Sequence, residues 1–575
     1  MKWLVSFALL LCCSPIAAQE RGAGPLTVNV FSTRQLRHIT ASPLNRLDWI
    51  RTCAGCDHKP ITAPLHFEVA GGSVQLNGKR RSHVEFGGLI RVGNEDGRIV
   101  ADGIWRIRRR NGRLQLLLTI DSERYVALAL AGEAAPDEPI ESLKAMAVAV
   151  RTYAFENLNR HAKEGFNLCD STHCQALRYG RAAQAIQQAV LDTAGETLWY
   201  VGRQAKVFYT QNCGGMTEAA SNVWPGIHEP YLIAHRDPYC MRHGPARWSA
   251  NIPIAKLEAI FRKQRWDVPG VIESVRIVRR TPSGRAVLLE FQGDGRHALI
   301  SGSSLRFAID RSMGWNQLRS DWYTVSLEGE ALHFSGRGYG HGVGLCQAGA
   351  MEMAKEGKSY RDILSFYFPD THVGIGPTDS GWHANREQGW HWIFVSEHRE
   401  LCHRAATEWA AAQRIFPPRT PVKPTVRLFP TTELFRESTG EPGWVLASTR
   451  GTDISLQPAI LLARSGEENK TLLHEFLHVL VEREAAPSTP LWLREGLVEA
   501  LSHPDARHIS VNMRTYGLDA ALSHPASCRQ ALVAHKEAEA RVRALIDAYG
   551  MEQVRGWLQT GVPAQALQRI STHAQ

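Results

Sequence analysis

Hydrophobic positions change their period several times along the chain. From residue 19 to residue 130 apolar and polar positions alternate, as around Leu114-Gln115-Leu116-Leu117-Leu118, and Asn94-Glu95-Asp96-Gly97 and Arg110-Asn111-Gly112-Arg113 punctuate the alternation. A period of two broken by such turn residues predicts strands joined by hairpins. Over 139–160 the period lengthens. Leu143, Ala147, Val150 and Ala154 form one stripe, and Pro139 suits a first helical position, so a helix is expected. Strand-like runs and Gly-rich turns return over 190–345. Gly374-Ile375-Gly376-Pro377-Thr378-Asp379-Ser380-Gly381 then reads as a linker, and the remainder is helix-rich with a few strands. The pattern predicts an α+β multidomain chain, β-rich first and helix-rich last.

Composition changes this picture in two ways. A chain of 575 residues exceeds one ordinary core, so about two to four domains are expected. The formal charge of +9 favours polyanionic partners such as nucleic acid, anionic lipid or acidic wall polymer. Arg106, Arg108, Arg109, Arg110 and Arg113 form a basic cluster, either a solvated hairpin face or a contact for an anionic polymer.

The N-terminus sets the compartment. Lys2 precedes an apolar stretch from Leu4 to Cys13 and the small residues up to Ala18, the pattern of a cleaved signal peptide over 1–18. A retained anchor is the alternative. That run is too short to span a bilayer comfortably, and no second run competes with it, so a polytopic membrane protein is excluded. Export to the periplasm or beyond points away from nucleic acid and toward a wall or membrane surface. Without Cys12 and Cys13, nine of the eleven cysteines remain, an odd number in a compartment that permits disulfides. Cys53-Ala-Gly-Cys56 reads as a tight structural disulfide, and Cys402 with Cys528 as a pair.

Four segments carry the chemistry of the central region. They are Arg124–Glu133 (RYVALALAGE), Glu141–Ala154 (ESLKAMAVAVRTYA), Cys169–Gln175 (CDSTHCQ) with Cys213-Gly214-Gly215-Met216-Thr217, and Gly336–Ala350 (GRGYGHGVGLCQAGA). In this order they resemble the stage II sporulation protein D / LytB amidase-enhancer family over about residues 120–375. Met146 departs from the family, which more often has Gln there. The resemblance implies peptidoglycan as substrate. It implies lytic cleavage of denuded glycan strands in enzymatic members, and activation of a cell-wall amidase in others.

Lytic cleavage needs one carboxyl that serves as acid and then base, because the muramoyl 6-hydroxyl replaces water. Glu133 and Glu141 both match glutamates of the family pattern. Glu133 follows the apolar run Val126–Ala131, which would raise its pKa as a general acid requires. Glu141 falls at the third position of the helix if Glu138 caps it, a place that stabilises the helix and lowers the pKa. Glu133 is therefore the favoured acid. Arg151 and Tyr153 are expected at the substrate, Arg151 either on a lactyl or peptide carboxylate or in an ion pair with Glu141. His341 sits in a Gly-rich turn that either approaches a sugar or is simply tight. His161, Cys169, His173 and Cys174 form either a zinc site, as some family members have near this segment, or a disulfide.

Near the C-terminus, His474-Glu475-Phe476-Leu477-His478 is an H-E-x-x-H motif. On a helix the two imidazoles share one face, and Glu475 stands beside them to activate a metal-bound water. Trp492-Leu493-Arg494-Glu495-Gly496 follows. Residues 387–575 thereby resemble the gluzincin (peptidase MA-like) metallopeptidases, which implies His474, His478 and Glu495 as ligands of Zn2+, with Glu499 behind them. Strands are expected over Thr425–Phe429 and Thr452–Leu456, and a substrate peptide is expected to add to an edge strand.

The expected organisation is a signal peptide 1–18, a β-rich region 19–120, a peptidoglycan domain 121–375, a linker 376–386 and a zincin-like domain 387–575. The expected function is exported wall remodelling on glycan strands. The rivals are a non-catalytic glycan-binding amidase enhancer, and a peptidase that the central domain merely targets to the wall.

Overall fold

A computed structural model describes residues 24–572 apart from 46, 245, 388, 504–516 and 524–527. The expected signal peptide lies outside the described residues. The chain is a mixed α+β protein whose two compact units divide at Gly381 and Trp382. Among the described residues no helix is long and apolar enough to cross a membrane.

The first unit is built on an eleven-stranded sheet. Its long strands Glu85–Asn94, Gly97–Arg110 and Arg113–Ile120 pair antiparallel through the two expected hairpins. At the second turn Asn111 and Gly112 both take positive φ (49° and 75°), which is why Asn-Gly occupies it. Leu26–Val30 pairs with Arg113–Ile120 on one side and, in parallel, with the short strand Leu168–Cys169 on the other. The sheet edge therefore carries Cys169.

Two helices lie against this sheet. Residues 122–130, expected within the run of strands and turns that ends at 130, belong to the helix Ser122–Glu133 instead. Its Ala/Leu run has high helix propensity, and Tyr125, Val126, Ala129 and Leu130 are fully buried. The second helix, Ile140–Glu156, is capped by Pro139, one residue later than expected, so Glu141 stands at its second position. The stripe Leu143, Ala147, Val150 and Ala154 is wholly buried, and so is Met146, which makes that departure a matter of core packing.

Residues 247–337 add two three-stranded sheets and two helices, Ile254–Gln264 and Gly302–Met313, around a separate core that includes Trp248, Phe261, Phe291 and Phe334. Leu257, Ile260 and Phe261 in the first helix and Leu305, Ala308 and Ile309 in the second form its buried stripe at helical spacing, each short and flanked by strands.

The second unit holds a five-stranded sheet in the order His383–Glu387, Trp390–Phe394, Thr425–Leu428, Asp453–Leu456, Ala447–Arg450. Its first strand begins inside the expected linker. Both expected strands form and are interior; the edge beside the helix Glu468–Glu484 is Ala447–Arg450, antiparallel to its neighbour. Cys53 and Cys56 form the expected disulfide. Cys402 and Cys528 are not joined; the Cys402 thiol lies 3.8 Å from Glu387 Oε1.

Candidate functional site

Glu133 ends the first helix, half-buried. Gly132 before it has no room for a Cβ, which would strike the carbonyl of Ala176. That close approach brings the segment after Cys174 against the helix end, where Arg178 donates its amide to Leu128 O (3.0 Å). Burial raises the Glu133 pKa, and the Ala176 amide opposes the shift in part. Tyr209 and Gln347 complete the surroundings. Burial, then the Glu133 charge, pushes the Tyr209 phenol well up, and Gln347 Nε2 donates to Glu133 O (3.2 Å). Gln175 ties the wall together, with Nε2 donating to Tyr209 OH (3.1 Å) and Oε1 accepting from Tyr125 OH (2.8 Å). Tyr209 and Gln347 were not singled out in the sequence, although Gln347 lies within the quoted Gly-rich segment.

Glu141 is differently occupied. One oxygen pairs with Lys144 (3.0 Å) and the other accepts the amide of Tyr360 (2.8 Å) at the start of the helix Tyr360–Tyr367. It clamps two helices together, and both oxygens are committed.

Arg151 does not reach a substrate. It is fully buried and grips Glu123 rather than Glu141, while Nη1 donates to Glu196 O (3.0 Å). Helical spacing put Arg151 on the Glu141 face, but the partner comes from the preceding helix, which periodicity within one helix cannot reveal. Tyr153 is half-buried, and its phenol is raised to about 12 by burial, with Cys174 and Cys169 among its electrostatic neighbours. His341 is half-buried between Phe208 and Trp224, its Nδ1 accepting from the Val343 amide (3.0 Å). Burial, with Arg306 and Arg285 beyond, lowers it to about 3, so it is a neutral imidazole at ordinary pH. The glycines around it are used internally. A Cβ at Gly340, Gly342 or Gly344 would strike Thr210, Arg285 or the Phe208 backbone.

His161, Cys169, His173 and Cys174 converge without a disulfide. The sulfurs lie 3.3 Å apart, His161 Nε2 is 3.4 Å from Cys174 Sγ, and His173 Nδ1 is 3.6 Å and 3.7 Å from the two sulfurs. A tetrahedral zinc shell with bonds of about 2.0–2.3 Å has edges of this size, so the four donors fit that ion. His161 turns its other nitrogen to Glu164 (2.7 Å), the carboxylate support typical of a metal-bound histidine. Arg110 in turn pairs with Glu164 (3.0 Å), so part of the basic hairpin is engaged here, whereas Arg106, Arg109 and Arg113 remain exposed.

In the second unit, the helix Glu468–Glu484 presents His474 and His478 together, their Nε2 atoms 3.0 Å apart, and Glu495 Oε2 lies 3.3 Å from His478. Two imidazoles and one carboxylate suit zinc and leave a fourth position open. Burial works to lower His478, but the Glu495 carboxylate outweighs it and raises it to about 9. Glu475 is buried and accepts from Thr449 Oγ1 (2.5 Å) on the edge strand. Glu499 stands behind, bonded to His535 (3.0 Å), a residue the motifs did not mark. Gly496 explains how His535 arrives. A Cβ there would collide with the carbonyl of Ala538, so glycine lets the helix Cys528–Tyr549 cross closely.

The family described as "Stage II sporulation protein" matches residues 110–200, and a domain of unknown function matches 242–344. An uncharacterized protein of Brachyspira hyodysenteriae (strain ATCC 49526 / WA1) is 30% identical over 261 residues, 45% of this chain and 68% of that protein. The amidase enhancer of Bacillus subtilis (strain 168) is 27% identical over 275 residues, covering 40% of this chain and 38% of that protein. The stage II sporulation protein D of the same strain is 26% identical over 276 residues, 45% of this chain and 76% of that protein.

Proposed function

We propose, for a chain that belongs to the stage II sporulation protein D family, that the first unit cleaves peptidoglycan glycan strands lytically with Glu133 as general acid and then base. The observation that carries this reading is the contrast between the two glutamates. Glu133 is desolvated, raised in pKa and free of any cation among the described residues, whereas Glu141 holds Lys144 and a helix start. A protonated Glu133 delivers its proton to the glycosidic oxygen as the bond to the muramoyl carbon breaks. The resulting carboxylate then takes the proton of the 6-hydroxyl as that oxygen closes the anhydro ring, which returns the acid to its starting form. Neutral His341, Tyr153, Tyr209 and Gln347 are the proposed groove contacts. The Cys/His site would hold zinc as a brace, because Cys174 fixes the segment whose Ala176 amide faces Glu133. No proton passes through it.

In the second unit His474, His478 and Glu495 would hold zinc, which when bound supplies an activated water. Glu475 would take that water's proton, and the edge strand Ala447–Arg450 would align a peptide. The geometry of the three donors supports this peptidase reading. Both units would act after export at the cell wall, in contact with glycan strands and, through the exposed Arg106, Arg109 and Arg113, with anionic wall polymers. The second reading, stimulation of a separate amidase, is favoured by the name of the Bacillus subtilis amidase enhancer. The test is product analysis by mass spectrometry of purified peptidoglycan, with and without a partner amidase. Anhydro ends from the protein alone support cleavage. Products that appear only with the amidase, undiminished by Glu133→Gln, support enhancement.

A further inference from the structure

A second cluster of soft donors lies in the first unit, adjoining Tyr209 and Gln347 but sharing no residue with the proposed glycan site. Cys213, Asp237, Cys240 and Cys346 bring their ligand atoms within 4.8 Å of one another, and all four are buried. They come from three separate places. Cys213 follows the strand Tyr209–Thr210, Asp237 caps the helix Pro238–His243 that carries Cys240, and Cys346 ends the strand Leu345–Cys346, which pairs in parallel with Tyr209–Thr210.

We propose that Cys213, Cys240, Cys346 and Asp237 form a structural zinc site that ties these segments together. Three observations carry it. First, three thiols cannot pair off among themselves without leaving one over, and none of the three is disulfide-bonded. Second, Asp237 is fully buried, and among the described residues no cation forms an ion pair with it. Its partners are the Cys240 amide (2.8 Å), Tyr367 OH (2.8 Å) and the Cys213 thiol (3.2 Å). A buried carboxylate without a counter-ion is costly, and a divalent cation at the thiols would supply one. Third, the backbone is arranged for anionic sulfur. The Cys213 amide donates to Cys346 Sγ (3.2 Å).

Tetrahedral thiolate edges run to about 3.8 Å, so the donors need only a modest contraction around the ion. Binding would expel three thiol protons and break the Cys240 contact with Asn212 Oδ1 (3.2 Å), leaving that oxygen with the Gly214 amide (2.9 Å). The residual negative charge faces Arg285, which donates to the Cys213 carbonyl (2.9 Å). Gly349 makes room, since a Cβ there would collide with Tyr367 OH and crowd Asp237.

The test uses the full chain purified without chelator or reductant. Elemental analysis should show Cys240→Ser losing about one zinc per chain relative to the parent, while Cys402→Ser loses none. Asp237→Asn, which keeps the shape if the serine variant does not fold, should release one zinc to a chelator faster than the parent. Alkylation of the unfolded parent in EDTA without reductant should modify Cys213, Cys240 and Cys346 alike. A disulfide between any two of them, or unchanged metal content and release in the variants, would overturn the proposal.

Discussion

The Arg151 guanidinium holds both carboxylate oxygens of Glu123, Nε to Oε1 at 2.8 Å and Nη2 to Oε2 at 2.5 Å, in a site neither shares with solvent. The pair joins the helix that ends in Glu133 to the helix that carries Glu141. Removing one partner strands a buried charge, so Arg151→Ala should cost about 3–5 kcal/mol. The denaturation midpoint checks this. Glycan binding per folded molecule should be unchanged, and a specific loss of binding would return Arg151 to the substrate.

Burial raises Glu133 above its ordinary carboxyl range. Two consequences have the same sign. Cleavage should be full while the acid is protonated and fall as pH rises through the raised value. The Glu133 contribution to stability is likewise present below the ordinary carboxyl pKa and lost as pH rises through the folded one. Rate and melting temperature measured against pH should show both trends, and Glu133→Gln should flatten the stability trend.

Glu164 supports His161 in the Cys/His site. Glu164→Gln should weaken zinc binding by about 10–100-fold. Removing the metal with a chelator should reduce glycan cleavage, because the segment bearing Ala176 loosens. Metal titration with a parallel activity assay checks both.

Gly496 permits the helix crossing that delivers His535 to Glu499. Gly496→Ala should destabilise the second unit by about 1–3 kcal/mol and lower its metal affinity. Glu475→Gln should keep the metal and lose peptide cleavage, whereas His478→Ala should lose both. Metal analysis beside a peptide-cleavage assay separates the three variants.

What could be read in the sequence was local. The hairpins at Asn94–Gly97 and Asn111–Gly112, the helix over 140–156 and the H-E-x-x-H helix each follow from short-range pattern. His161, Cys169, His173 and Cys174 were gathered because they lie within fourteen residues in the chain. What escaped depends on contacts between distant segments. The Glu123–Arg151 pair, Gln347 beneath Glu133, and His535 behind Glu499 join residues that no periodicity relates. The helix Ser122–Glu133 escaped for another reason: buried on most sides, it shows no polar face, so its apolar run reads equally as a strand.

The most direct measurement concerns the acid itself. Denuded glycan strands are incubated with the parent chain, Glu133→Gln and Glu141→Gln, and anhydro-muramoyl ends are counted by mass spectrometry. The parent should produce them. Glu133→Gln, folded and with its metal retained, should fall by at least about 100-fold, and Glu141→Gln should lose activity only as far as it loses stability. Full release of anhydro ends by Glu133→Gln would contradict the account.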